Sequence, residues 1–128
     1  MTDRKTVLLV DDDSDFILAN KQLLEAAGYD VCTAYTGAEG LEKAKAVHPN
    51  LILLDVMMES ENAGFVMNEA LREIPDLEDV PVIMLTGVNQ DLDRPYHFDV
   101  CNGWPCAAFL EKPVRPEILL REVRAWAR

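Results

Sequence analysis

Nowhere does the sequence run for more than 11 residues without an aspartate, glutamate, lysine or arginine; the two longest such stretches are Val80–Gln90 and Val100–Leu110. A membrane span needs about 18 or more consecutive apolar residues, so no helix of this chain is expected to cross a bilayer. Positive charge is scarce. Twelve lysines and arginines stand against 23 aspartates and glutamates, a net charge of −11. That balance repels phosphate backbones and anionic lipid headgroups, so direct binding of nucleic acid is not expected. Cysteine is sparse and odd in number: Cys32, Cys101 and Cys106 cannot all pair within one chain, which points to reduced thiols acting as core filler. The N-terminal MTDRKTVLLV turns acidic directly after its apolar run and has no small-residue cleavage site. It does not read as a secretory signal, and the expected compartment is the cytoplasm. Internal repeats are absent as well.

What is present is the makeup of one folded unit. At 128 residues, with 49% hydrophobic and 27% charged side chains, the chain can bury a core without disulfide or metal staples and is too short for two domains. Residues 1–128 therefore read as a single domain. Val7–Val10 is a continuous apolar run followed at once by DDDSD, the pattern of a buried strand ending in a polar loop. Phe16, Ile17, Leu23 and Leu24 fall near helical spacing over Ser14–Ala27, and Gly28 supplies a terminator. Tyr29–Ala34 reads as a second strand. Thr36 with Glu39 forms a capping box that opens a helix ending before Pro49, with His48 as a helix-end histidine. Leu51–Leu54 is a third buried strand ending on Asp55, a helix is expected from about Phe65 to Glu73, and Val82–Leu85 forms a fourth strand ending on Thr86. Residues 87–105 hold Gly87, Pro95, Gly103 and Pro105 and show no helical period. Ala107–Leu110 reads as a fifth strand ended by Lys112 and Pro113, and a last helix is expected from Pro116 to Trp126.

Strands that alternate with helices imply a parallel sheet covered on both faces, because each parallel crossover needs a connection long enough to hold a helix. In such sheets ligands bind beyond the carboxyl ends of the strands. The residues at those ends are Asp11 and Asp12, Asp55, and Thr86, with Lys112 just past the fifth strand. Carboxylates gathered within a few ångströms repel one another unless a cation neutralises them. Hard oxygen ligands of this kind suit Mg²⁺, which binds through one or two carboxylates and completes its shell with water and phosphate oxygen. Any single aspartate after a strand also serves as a turn residue or helix cap, as Asp13 and Ser14 can here. Four rim positions filled with these types in this order point to a metal-assisted phosphate site.

The order VLLVDDDSD, LILLDVMM, VIMLTG and FLEKPV resembles the receiver domain of two-component response regulators over essentially the whole chain. The resemblance implies an α/β fold of the flavodoxin-like type, a doubly wound five-stranded parallel sheet with strand order 2-1-3-4-5. It implies that Asp55 accepts a phosphoryl group from a histidine kinase or a histidine phosphotransfer protein, with a downstream output protein reading the result. By position, Asp12 and Asp55 match direct Mg²⁺ ligands, Asp11 a water-mediated one and Met57 a backbone-carbonyl ligand. Thr86 and Phe109 match the switch hydroxyl and switch aromatic, and Lys112 matches the family lysine. Such a protein is a signalling switch and no enzyme beyond its own phosphoryl transfer and slow autodephosphorylation.

The chain also departs from that pattern. After Asp55 it carries MMESENAGF, with Glu59 where the family has proline, Ala63 before Gly64 where it has aspartate, and one extra residue. The interval from Thr86 to Lys112 is 26 residues, longer than the pattern. Two other readings stay open. A magnesium-dependent phosphohydrolase of the haloacid-dehalogenase type would place its nucleophile after the first strand, where Asp11 and Asp13 have its two-residue spacing but Ser14 and Asp15 do not continue its motif. A receiver-like interaction module would work without phosphorylation. Cys101, Cys106 and His97 lack the count and spacing of a zinc site, and Trp104 serves either as a loop anchor or as a partner contact.

In receivers the side chains two positions after the acceptor and two after the switch hydroxyl lie over the approach of the hydrolytic water. Here they are Met57 and Val88, which neither orient nor admit that water well. The phosphorylated state should therefore persist. Met57→Asn or Val88→Glu should each speed dephosphorylation by about tenfold, the factor that about 1.4 kcal/mol represents. Phosphate release after donor removal measures this, and a fast wild type that neither change alters would count against it.

Overall fold

A computed structural model describes residues 4–56, 63–86 and 107–127, apart from the side chains of Phe65, Thr86 and Phe109. Among these residues the chain runs β1 (Thr6–Val10), α1 (Ser14–Ala26), β2 (Asp30–Ala34), α2 (Gly37–Val47), β3 (Leu51–Asp55), α3 (Ala63–Arg72), β4 (Val82–Thr86), β5 (Ala108–Glu111) and a last helix, here α4 (Pro116–Trp126). The five strands form one sheet in the order β2-β1-β3-β4-β5, with every neighbouring pair parallel. The alternation of strands and helices leads to this parallel sheet, and its doubly wound order 2-1-3-4-5 is the one the resemblance implies. Met57, Val88, His97, Cys101, Trp104 and Cys106 lie outside the described residues.

Side chains alternate along each strand, so the sheet has two cores. Leu8, Val10, Ile52, Leu54, Val82 and Met84 pack on one face with Ala44 of α2 and Met67 and Leu71 of α3. Val7, Leu9, Leu51, Leu53, Ile83 and Leu85 pack on the other with Ile17 and Leu24 of α1 and Leu119 and Val123 of α4. Continuous apolar runs such as VLLV and LILL are what a strand buried on both faces requires. Each of the buried valine, leucine, isoleucine and methionine side chains contributes about 1.5–3 kcal/mol. Cys32 is partly buried against the first core, in keeping with its reading as filler.

Local chemistry sets the helix ends. Asp13 caps α1, its side chain accepting from the backbone N–H groups of Asp15 and Phe16. At the other end Gly28, at φ +104, allows the chain to reverse. Gly28 N–H donates to Glu25 O and Tyr29 N–H to Leu24 O, both at 3.1 Å, which closes a Schellman motif. The capping box of α2 forms with one difference from expectation. Glu39 N–H donates to Thr36 Oγ1 at 3.0 Å, but the Glu39 carboxylate reaches past the cap to accept from Tyr35 N–H at 2.9 Å. His48 ends α2 in the left-handed region at φ 50, its N–H bonded to Ala44 O, a backbone state that the sequence does not announce.

β3 ends on Asp55 as read from the sequence, with Asp55 paired to Leu85, whereas β5 runs one residue later than expected, Glu111 pairing with Thr86. Pro116 occupies the first turn of α4, where its missing N–H costs nothing. The connection after α3 is clamped by Arg72, which donates to Asn68 Oδ1, Val80 O and Glu78 O. Burial pushes the Arg72 guanidinium down from its ordinary value, and nearby Asp79 opposes that shift.

Candidate functional site

Register brings the site together. Val10 is paired with Leu54, so the next residues along, Asp11 and Asp55, stand level at the carboxyl edge of the two central strands. Asp12 follows in the loop to α1. One carboxylate oxygen from each of Asp11, Asp12 and Asp55 lies within 4.8 Å of the other two. Asp11 is fully buried, Asp55 is 5% exposed, and Asp12 is open to solvent. Lys112, one residue beyond β5, places its Nζ 2.5 Å from Asp11 Oδ2 and 3.7 Å from Asp55 Oδ1. One ammonium thus pairs with two of three clustered carboxylates, and the group as a whole is left with surplus negative charge.

Each side chain is held by what surrounds it. Asp11 N–H donates to Ala34 O at 3.0 Å, which ties the end of β1 to the end of β2. Asp11 Oδ1 accepts from Asp13 N–H at 2.9 Å while Oδ2 takes the Lys112 ammonium. Both oxygens of this buried carboxylate are therefore engaged, as burial of a charge demands. Val56 N–H donates to Leu85 O at 2.9 Å, continuing the ladder past Asp55 and fixing its backbone. The peptide bond between Lys112 and Pro113 is cis. Lys112 also lies over the Phe16 ring, 4.3 Å from its centroid.

Three elements of this site were not visible beforehand. Phe16 had only the signature of an apolar helix position. The cis bond left no mark beyond an ordinary Lys-Pro pair. Gly64 stood out only as part of an altered loop, yet α3 crosses the end of β3 so closely that a Cβ there would sit 2.2 Å from Asp55 O and 2.8 Å from Val56 Cα. Both are backbone atoms, which cannot move aside as a flexible side chain could. Gly64 N–H also bonds to Val56 O at 2.9 Å. Gly64→Ala should destabilise the fold by about 2 kcal/mol and shift the Asp55 backbone. Urea denaturation, with the amide shift of Asp55 by NMR, checks it; wild-type stability with an unmoved amide would contradict the crossing.

Of the residues singled out in the sequence, Asp11, Asp12, Asp55 and Lys112 converge at one rim. Thr86 ends β4 and Phe109 lies within β5; their side chains, and all of Met57, lie outside the described residues. The donor set suits a hard divalent cation, since it consists of carboxylate oxygens close enough to share one ion. No described helix is long and apolar enough to cross a membrane.

Comparison with known proteins agrees with this arrangement. The family model of the response regulator receiver domain matches residues 7–124. The DNA-binding dual master transcriptional regulator RpaA of Synechocystis sp. is 38% identical over 125 residues, covering 95% of this chain and 48% of that protein. The chain thus spans about half the length of such regulators. The polar-differentiation response regulator DivK of Brucella ovis is 26% identical and matches over 95% of both chains. Among solved structures, the Vibrio cholerae chemotaxis protein CheY4 superposes with a TM-score of 0.85 at 29% identity, covering 97% of this chain and 99% of that one. An acidic rim faced by a lysine, on a sheet of this order, is therefore found in a chain whose sequence matches the same family from its first strand into its last helix, and the chain belongs to the receiver domains of two-component response regulators, which are signalling switches.

Proposed function

We propose that this chain is a phosphorylation-controlled switch in which Asp55 accepts a phosphoryl group, in the presence of Mg²⁺, from a histidine kinase or a histidine phosphotransfer protein. The observation that carries the reading is the position of Lys112 Nζ between Asp11 and Asp55, beside carboxylate oxygens close enough to share a cation. Asp12 and Asp55 would hold the ion directly, Asp11 through water, and Met57 through its carbonyl. When bound, the ion would draw charge from the transferring phosphoryl oxygens, a job of positioning and electrostatics.

The remaining chemistry belongs to the chain. An Asp55 carboxylate oxygen forms a bond to phosphorus while the donor's bond to phosphorus breaks and its electron pair leaves with the donor. Lys112 turns from its ion pair toward the new phosphoryl oxygens, and Thr86 donates its hydroxyl hydrogen to one of them. Phe109 then fills the space that Thr86 gives up, which alters the surface read by an output protein in the cytoplasm. The haloacid-dehalogenase reading would require Asp11 as nucleophile. Asp11 has no exposed side-chain surface, and both its oxygens are taken by Asp13 N–H and Lys112.

The test is incubation with acetyl phosphate, with Mg²⁺ and separately with a chelator, followed by intact-mass measurement. A gain of one phosphoryl group only when Mg²⁺ is present is the expected result. No gain in either condition would sink the proposal in favour of an interaction module that works without phosphorylation.

A further inference from the structure

We propose that Phe16 is a positioning residue for Lys112, its ring face holding the ammonium at the rim between Asp11 and Asp55. The proposal rests on the phosphoryl-acceptor reading given above. Lys112 Nζ sits 4.3 Å from the Phe16 ring centroid, and the Lys112 side chain is only 19% exposed. Lysine carries a compact charge on a flexible four-carbon stem, so one ion pair fixes its distance from a carboxylate but leaves its direction of approach loose. The negative face of an aromatic ring supplies a second fixed point. With Asp11 on one side and Phe16 on another, the ammonium is confined to the space beside Asp55.

The ring is itself anchored. Phe16 N–H is capped by Asp13 Oδ1 at 3.3 Å, and its carbonyl accepts from Asn20 Nδ2 at 2.8 Å. Its side chain packs against the core that contains Ile17, Leu24 and Leu119. Asp13 is in turn bonded through its N–H to Asp11 Oδ1. Asp11 therefore holds Lys112 with one oxygen and, with the other, the cap residue that sets the helix turn bearing Phe16. A carboxylate in place of the ring would compete with the phosphoryl group for the ammonium. A neutral ring face does not, so Lys112 can keep this contact while it turns from Asp11 toward charge arriving on Asp55.

The experiment compares the wild-type chain with Phe16→Leu, which removes the ring face, and Phe16→Tyr, which keeps it. Ring current should shift the Lys112 ε-methylene protons upfield in the NMR spectra of wild type and Phe16→Tyr. In Phe16→Leu those protons should return toward the ordinary lysine position. The rate of Mg²⁺-dependent phosphorylation by acetyl phosphate should fall about tenfold in Phe16→Leu, equivalent to about 1.4 kcal/mol, and be restored in Phe16→Tyr. If Phe16→Leu does not fold, Phe16→Met supplies the same comparison. A wild-type rate in the aliphatic variant overturns the proposal. So does a Phe16→Tyr variant as slow as the aliphatic one, because the ring would then act through packing alone. A wild type that accepts no phosphoryl group overturns the acceptor reading and this role with it, while the ring-current shift would still report the contact.

Discussion

Asp55→Asn should take up no phosphoryl group from acetyl phosphate and Mg²⁺ under conditions in which the wild-type chain takes up one. The amide has almost the shape of the carboxylate but lacks the anionic oxygen that must attack phosphorus, so the loss should be complete rather than graded. Nearly all of Asp55 is buried at the edge of a central strand, and an amide there spares the fold a buried negative charge. The variant should therefore keep wild-type stability or exceed it. That expectation separates chemical loss from unfolding, and urea denaturation beside intact-mass measurement reads both. An Asp55→Asn protein that still gained one phosphoryl group would move the acceptor elsewhere, with Asp12 the exposed carboxylate of the same cluster.

Lys112→Met should cost the metal-free protein about 3 kcal/mol of stability. Asp11 is wholly buried, and its Oδ2 is paired with the Lys112 ammonium at 2.5 Å. Removing the cation leaves a buried carboxylate with only the Asp13 N–H contact among those described, and breaking one side of such a pair is strongly destabilising. The double variant Lys112→Met with Asp11→Asn should recover most of the loss, because the orphaned charge goes with it. Mg²⁺ should also restore part of the stability of Lys112→Met, since an ion bound only by the folded rim shifts the equilibrium toward it. Chemical denaturation of the four members of this cycle, with chelator and with Mg²⁺, gives the coupling directly. Additive losses would mean that the two side chains act independently.

Much of this molecule is written locally. The strands at Val7–Val10 and Leu51–Leu54, the capping residues Asp13 and Thr36, and the terminator Gly28 all work through neighbours within a few positions, so their signals survive in the linear order. The rim residues Asp11, Asp12, Asp55 and Lys112 were legible for a related reason. Strand ends can be read one at a time, and a parallel sheet gathers its carboxyl ends along one edge whichever strands turn out to be neighbours. The segment 87–105 offered no such period; Thr86 was legible as a strand end, but its switch role, like the roles of Met57 and Phe109, came from the resemblance to receivers rather than from any local signal.

Everything that depends on which surfaces meet was decided only by the tertiary structure. Lys112 and Asp11 are separated by 101 positions, and nothing near either residue specifies their pairing; the register of β1 with β3, β3 with β4 and β4 with β5 does. The placement of Phe16 over the ammonium depends on α1 and the end of β5 lying on the same side of the sheet. The need for glycine at position 64 arises where α3 crosses the Asp55 backbone. By itself the sequence determined which of the described elements form, roughly where they end and which chemical groups stand at the strand ends, because hydrogen-bond caps and side-chain periodicity act over a turn of helix or a few residues of strand. The distances among those groups came only from strand order, register and helix packing, which are set by many buried contacts acting together.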